Sequence, residues 1–255
     1  MNIDQFKDWV HKDFGIYLFA YKENQLNRRI LSLMSRVGAK DLDEYVKLLK
    51  TDSNQRQKFL DFITINVTEF FRNPELFDEL KKELQAYLDA HRNGIKIWSA
   101  ACSIGAEPYS LAIILDNLKN SDKNTIIASD IDSTILERAK KGEFTDAEIK
   151  NVEASYLKKY FEAKNDKYTI DTRIKNMITF RKHDLILDDY EKGFDLIVCR
   201  NVVIYFNQDI KEKIYEKFSS SLNRGGLLFV GATESIYNCK EFGFEKASTF
   251  IYRKL

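Results

Sequence analysis

Cysteine is scarce in this sequence: Cys102, Cys199 and Cys239 are odd in number, far apart, and form no C-x-x-C pair. That spacing excludes a disulfide framework and a cysteine-based metal knuckle. Histidine is just as sparse, with His11, His91 and His183 scattered along the chain, and the expectation is a reduced cytoplasmic protein without a structural metal. Long apolar runs are missing too. The longest, such as 111–115 and 227–230, fall far short of the roughly 20 residues of a membrane helix, and Asp4, Lys7 and Asp8 interrupt any signal-peptide pattern at the start. Nor is there an excess of one charge. Lys and Arg total 40 against 39 Asp and Glu, a net charge of +1, so there is no chain-wide attraction to nucleic acid or to an anionic membrane. Any electrostatic steering must be local.

What is present is a globular composition, 44% hydrophobic and 31% charged over 255 residues, enough for one α/β domain and a small companion. Residues 1–70 read as helical. Leu26, Ile30, Leu33, Met34 and Val37 recur at helical spacing with Gly38 as a stop, and Leu42, Tyr45, Val46 and Leu49 repeat the pattern. After Asn93-Gly94 the period changes. Short β-rich runs at 95–98, 125–129, 177–180, 194–199 and 226–230 alternate with helical segments at 106–118, 133–141 and 208–222. That alternation predicts a doubly wound, mostly parallel sheet over 71–255. An insertion at about 142–176 carries a predicted helix around 154–163 and a strand at 167–170. The runs at 242–246 and 250–253 predict an antiparallel hairpin on the sheet edge.

Ligands of open parallel sheets bind at the carboxyl ends of the strands, so the residues just past each apolar run are the candidates. After 95–98 come Ser99 to Gly105 and then Glu107-Pro108 opening a helix. Small residues permit close approach of a ligand to the backbone. The stretch lacks the Gly-Lys-Ser/Thr ending of a P-loop and the glycines of a dinucleotide fingerprint, which favours a nucleoside without phosphates. Glu107 also suits a helix N-terminus on dipole grounds alone. Asp130 ends the second run, where an acid accepts from ribose hydroxyls, or shares a capping role with Asp132 and Ser133. The third run leads to His183, Asp184 and Leu185, and the fourth to Arg200 and Asn201. His183 reads as a partly exposed structural histidine, and Arg200 and Asn201 are equally compatible with satisfying buried backbone groups.

Four motifs then occur together: NVTEFFRNP at 66–74, WSAACSIGAEPYSLAI at 98–113, ASDID at 128–132 and CRNVVIYF at 199–206. In this order and spacing they resemble the chemotaxis receptor glutamate methyltransferases of the CheR type, over essentially the whole chain. One departure is Ala106, which stands where the family usually carries the first of two acids; the second is kept as Glu107. The resemblance implies a Rossmann-like methyltransferase sheet, a small N-terminal all-helical domain and a small inserted β-subdomain. It further implies an enzyme that uses S-adenosylmethionine to esterify glutamate side chains on the cytoplasmic helices of chemoreceptors, with S-adenosylhomocysteine as product.

By that resemblance the cofactor contacts Asn66, Thr68, Arg72, Glu107, Asp130, Asp184, Leu185, Arg200 and Asn201, with Glu107 on the methionine amino group and Asp130 on the ribose. Arg72 and Tyr205 are the candidates for orienting the acceptor carboxylate. Phe70 and Phe71 are compatible with a cation–π surface for the sulfonium, although at least one is expected in the core. Arg28, Arg29 and Arg36 form either a solvated charged face or a patch for an acidic receptor helix. The insertion lacks the glycine-rich loop of members that dock a receptor's C-terminal tether peptide, so independence of that tether is expected.

Overall fold

The computed structural model describes residues 1–91, 94–118 and 123–255; Asn93, where the sequence pattern changes, lies outside them. In chain order the elements are α1 (Ile3–Phe14), α2 (Glu23–Arg36), α3 (Leu42–Thr51), α4 (Ser53–Thr64), α5 (Pro74–Ala90), β1 (Lys96–Ala100), α6 (Ala106–Leu118), β2 (Thr125–Asp130) and α7 (Ser133–Lys141). They continue with β3 (Glu143–Phe144), α8 (Asp146–Ile149), α9 (Ala154–Tyr160), β4 (Phe161–Lys164), β5 (Lys167–Ile170), α10 (Thr172–Lys175) and β6 (Ile178–Lys182). The last are β7 (Phe194–Cys199), α11 (Gln208–Ser221), β8 (Leu222–Val230), β9 (Phe244–Lys246) and β10 (Ile251–Lys254).

The chain divides into two compact units, one of residues 1–66 with 205–211 and one of residues 67–204 with 212–255. In the first, α1 starts at a reciprocal capping box: the Asn2 side chain accepts from the Gln5 amide at 2.9 Å, and the Gln5 side chain accepts from the Asn2 amide at 2.8 Å. Asp41 and Asp52 cap α3 and α4 in the simpler way. The apolar faces of these helices meet around Phe6, Tyr45 and Phe59, whose rings lie 5.9 to 6.2 Å apart. The segment after Ile204 closes this unit. Lys22 donates to the Tyr205 carbonyl at 2.9 Å, Asn207 donates to the Ala20 carbonyl at 2.8 Å, and Tyr21 bridges Phe206.

The second unit is built on a seven-stranded sheet in the order β6-β2-β1-β7-β8-β10-β9. The strands β6, β2, β1, β7 and β8 are mutually parallel and β10 is antiparallel to both of its neighbours. The terminal hairpin therefore joins the sheet through its second strand, while β9 forms the edge. Strands β1 and β7 are buried along nearly their whole length, as both-faced packing requires. Helix α6 is buried on most of its surface, and its apolar residues 111–115 are core rather than membrane sequence. Among the described residues no helix is long and apolar enough to cross a membrane.

The insertion forms a three-stranded antiparallel sheet, β3-β5-β4. The predicted helix at 154–163 stops at Tyr160, and residues 161–164 are strand. The reason is the turn after them: Asn165 and Asp166 both have positive φ, 50° and 57°, between the paired Lys164 and Lys167. Two residues with positive φ are the signature of a type I′ hairpin, which Asn and Asp accept more readily than most residues. Asp116 at the end of α6 ties this sheet down. It accepts from Tyr160 at 2.7 Å and from Lys159 at 3.1 Å, and it is ion-paired to Arg173. These partners hold its carboxyl down at about 2 against the raising effect of burial.

Candidate active site

Because five neighbouring strands run the same way, the residues just past them share one edge. Strand β1 delivers Ser99 and the turn 101–105, where Ala101, Ser103 and Gly105 all have positive φ, of 63°, 50° and 88°. At Gly105 an added Cβ would sit 3.1 Å from the Ala139 methyl and from the Tyr109 ring, so close packing as well as conformation calls for glycine. The turn is tied to its neighbour by the Cys102 amide on the Ser129 carbonyl at 2.9 Å, and β2 in turn holds the next loop through the His183 amide on the Asp130 carbonyl at 3.0 Å.

Asp130 is buried, and its carboxylate accepts from the Ser103 amide at 2.8 Å and from the Asp132 amide at 3.1 Å. Burial raises its carboxyl to about 6, with the amides opposing. Capping of α7 falls to Asp132, which accepts from Thr134 and Ile135, so the two acids divide the roles that the sequence leaves open. Glu107 in the first turn of α6 accepts from the Ser99 hydroxyl at 2.8 Å and lies 3.8 Å from the Arg200 guanidinium. Burial pushes its carboxyl up; Arg200 and Ser99 pull it back.

Arg200, 7% exposed, lies against the rings of Phe77 and Phe229, at 5.2 and 4.8 Å, and donates to the Arg72 carbonyl at 2.8 Å and to the Asn73 side chain at 3.2 Å. It thereby fixes the Phe71–Asn73 turn, where Phe71 and Asn73 have positive φ. Ser110 on α6 supports the same turn by accepting from the Phe71 amide at 3.0 Å. The Arg72 side chain donates to the Val67 carbonyl at 3.1 Å, and Thr68 is half-buried in the loop between them. Phe70 and Phe71 are both buried, against Phe144 and Phe161 and against Phe77 and Tyr156 respectively; both belong to the core.

On the β6 side, Asp184 accepts from the Ile186 and Leu187 amides through one oxygen, while Leu185 is buried beside it. His183 is buried rather than partly exposed, edge-on to Trp98, and burial lowers its pKa. Asn66 and Tyr205 cluster with the helical unit. Asn66 donates to the Thr64 hydroxyl at 2.9 Å, and Tyr205 lines a small pocket with Tyr21, Gln25, Arg29 and Ile65. The three arginines of α2 also separate: Arg28 and Arg36 are exposed, whereas Arg29 donates to the Phe62 carbonyl and stacks 4.4 Å from its ring.

One acid of this edge is absent from the residues expected from sequence. Glu234 comes after β8, is 4% exposed, and accepts from the amides of Asn201, Gly231 and Ile204. It lies past the carboxyl end of a fifth parallel strand, the same position that marks the other four groups of candidates.

This edge suits a nucleoside with an amino-acid tail. Three buried acids, Glu107, Asp130 and Asp184, would repel phosphate and can accept from hydroxyl and amino groups. Among the described residues, the buried Ser103 hydroxyl, the second Asp184 oxygen and the Arg200 Nε have no protein hydrogen-bond partner, which is how polar groups awaiting a ligand look.

Comparison with known proteins agrees. The family model described as the CheR methyltransferase SAM binding domain matches residues 66–251, and that of the CheR methyltransferase all-alpha domain matches residues 1–64. A chemotaxis protein methyltransferase of Listeria innocua is 42% identical over 246 residues, covering 96% of this chain and 94% of its own. Chemotaxis protein methyltransferase 1 of Pseudomonas aeruginosa is 33% identical over 250 residues, covering 93% and 91%. Among solved structures, a TehB-like SAM-dependent methyltransferase from Corynebacterium glutamicum aligns with a TM-score of 0.40 at 15% identity, over 79% of this chain and 94% of that one. With both family domains matched in order and relatives aligned nearly end to end, the chain belongs to the CheR methyltransferase family and is an enzyme whose cofactor is S-adenosylmethionine.

Proposed function

We propose that this enzyme methylates glutamate side chains on the cytoplasmic helices of chemoreceptors, giving glutamyl methyl esters. The observation that carries the reading is the buried acid set at one sheet edge, joined through Arg200 to the backbone of the Arg72 turn, in a chain whose relatives are named chemotaxis protein methyltransferases. When bound, S-adenosylmethionine supplies a methyl group on a positively charged sulfur. Glu107 holds the amino group of its tail and Asp130 the ribose hydroxyls; Thr68, Asp184, Leu185, Arg200 and Asn201 complete the contacts. Asn66 and Tyr205, which pack with the helical unit, take their roles from motif position.

A glutamate carboxylate, with an ordinary pKa of about 4.3, is already ionised at neutral pH, so no general base is needed. Transfer would join the carboxylate oxygen to the methyl carbon and leave the electron pair of the broken carbon–sulfur bond on sulfur, so no residue of this chain need give or take a proton. The protein's work is to exclude water and align three atoms, an effect worth roughly 7 kcal/mol or more. Arg72 and Tyr205 orient the acceptor oxygen. Loss of turnover in Arg72→Ala and Tyr205→Phe with binding of S-adenosylhomocysteine intact supports that role; full turnover removes it.

Exposed Arg28 and Arg36 dock the acidic face of the receptor helix. Arg28→Glu should raise the Michaelis constant for receptor at low salt, and an unchanged constant dismisses the patch. The insertion turns at Asn165–Asp166 with two residues and no glycine-rich loop, which supports methylation independent of a C-terminal tether. A receptor and its tether-truncated form should bind equally, whereas tight binding of an isolated tether peptide overturns this. The central test is transfer of labelled methyl to receptor-containing membranes. Base-labile release of methanol is the expected result; base-stable label, or none, rejects the glutamyl ester.

A further inference from the structure

Glu234 has a geometry that the cofactor contacts above do not use. Its Oε2 accepts from the Asn201 amide at 2.5 Å and from the Gly231 amide at 2.9 Å, and its Oε1 accepts from the Ile204 amide at 3.3 Å. Both oxygens are thus engaged by backbone, and the side chain is almost wholly buried. It is held in turn by its own amide on the Gly231 carbonyl at 2.9 Å. Asn201 lies in the left-handed region at φ 60°, which asparagine accepts more readily than most residues with a Cβ, and its amide there is the one bound by Glu234 Oε2. Position 231 leaves no room for a side chain either: a Cβ there would overlap Glu234 Oε2 and sit 3.0 Å from the Asn201 nitrogen.

We propose that Glu234 is a positioning residue for methyl transfer, one carboxylate oxygen setting Asn201 and the other setting Ile204, the residue before Tyr205. This rests on the reading that Asn201 contacts the cofactor and Tyr205 orients the acceptor. The two oxygens then serve two different steps, cofactor binding and alignment. Burial raises the Glu234 carboxyl, and the three amides together with Arg200 oppose that rise, as expected for a carboxylate kept as an acceptor.

The division by oxygen makes the proposal testable on the intact enzyme. A glutamine has one acceptor oxygen. Placed where Oε2 lies it keeps the Asn201 and Gly231 amides, and its NH2 then meets the Ile204 N–H donor to donor. Glu234→Gln should therefore bind S-adenosylhomocysteine within about three-fold of wild type by calorimetry, yet lose about ten-fold or more in kcat on receptor membranes. Glu234→Ala should lose about ten-fold in both. Gly231→Ala, which displaces Oε2 without touching the carboxylate chemically, should match Glu234→Ala in lost affinity. Wild-type constants in Glu234→Gln overturn the proposal. So does an equal loss of affinity and turnover in Glu234→Gln and Glu234→Ala that tracks a fall in Tm, which would assign the residue to stability alone. Failure of the wild-type enzyme to label receptors would reject the substrate reading instead, and the affinity measurements on Glu234→Ala and Gly231→Ala would still decide whether Glu234 sets Asn201.

Discussion

Removing the Arg200 guanidinium is the perturbation whose outcome the structure constrains most. The group is buried against two aromatic rings, makes two hydrogen bonds to the Arg72 turn and stands 3.8 Å from the Glu107 carboxylate. In Arg200→Met the packing volume is largely kept, but Glu107 is left without its cation. Breaking a buried pair from one side costs about 3–5 kcal/mol, a large share of the roughly 5–15 kcal/mol of an ordinary domain. Arg200→Lys keeps a charge but not the fork, and should cost about 1–3 kcal/mol. The penalty in Arg200→Met should also depend on pH. Glu107 is already raised by burial, and without Arg200 it rises further. A carboxyl raised in the folded state contributes stability below its ordinary pKa and loses that contribution as pH climbs through the folded value. The deficit relative to wild type should therefore be smallest near pH 4 and widen toward neutrality. Pairing Glu107→Gln with Arg200→Met should recover at least about 1 kcal/mol over the sum of the single changes. Urea denaturation of the four proteins of this cycle and of Arg200→Lys at several pH values measures all of this. A deficit below about 1 kcal/mol at pH 7, or one that is flat with pH, would refute the view that Arg200 neutralises Glu107.

Asp130, raised to about 6, is predicted to make cofactor affinity and stability move in opposite directions: S-adenosylhomocysteine should bind more weakly as pH falls through about 6, while this residue's contribution to stability is lost as pH rises through the same value. Calorimetry from pH 5 to 7.5 checks the first, and Asp130→Asn should flatten the curve. Asp116, held at about 2 by Arg173, Tyr160 and Lys159, contributes stability above about pH 4 that disappears as pH falls toward 2; Asp116→Asn should lower Tm modestly at pH 7 and coincide with wild type at pH 2. At the Asn165–Asp166 turn, Asp166→Val should cost about 1 kcal/mol or more because a β-branched residue resists positive φ, whereas Asp166→Gly should be neutral or stabilising; thermal unfolding distinguishes the two.

Much of this architecture is legible in the order of the amino acids. The helix over 133–141 is read to the residue, since Asp132 marks where it begins and Gly142 where it stops, and the helix after Gly105 begins where expected. The parallel strands are located by runs such as 194–199 because burial on both faces leaves few polar residues to break them. The hairpin at 161–170 is hidden because Tyr160 and Phe161 continue a helical apolar spacing, and only the paired Asn165 and Asp166 oppose it. In the candidate site, Glu107, Asp130, Asp184 and Arg200 are legible as candidates because each stands at or past the end of a parallel strand. Their partners are not, because hydrogen bonds such as that from Arg200 to the Arg72 carbonyl link residues 128 apart and leave no local pattern. Glu234 escapes for another reason: it comes three residues beyond Gly231, and its partners are backbone amides, which carry no residue signature.

The closing of the helical unit by residues 205–211 bears on how the protein is made. The Tyr21–Phe206 bridge and the Ala20–Asn207 hydrogen bond join residues whose synthesis on the ribosome is separated by some ten to forty seconds, at about 5–20 residues per second. The first four helices must therefore wait, with the surface around Tyr21 uncovered, until most of the sheet has been translated. An excised segment of residues 1–66 would lack those contacts, and the surface around Tyr21 would stay uncovered in it.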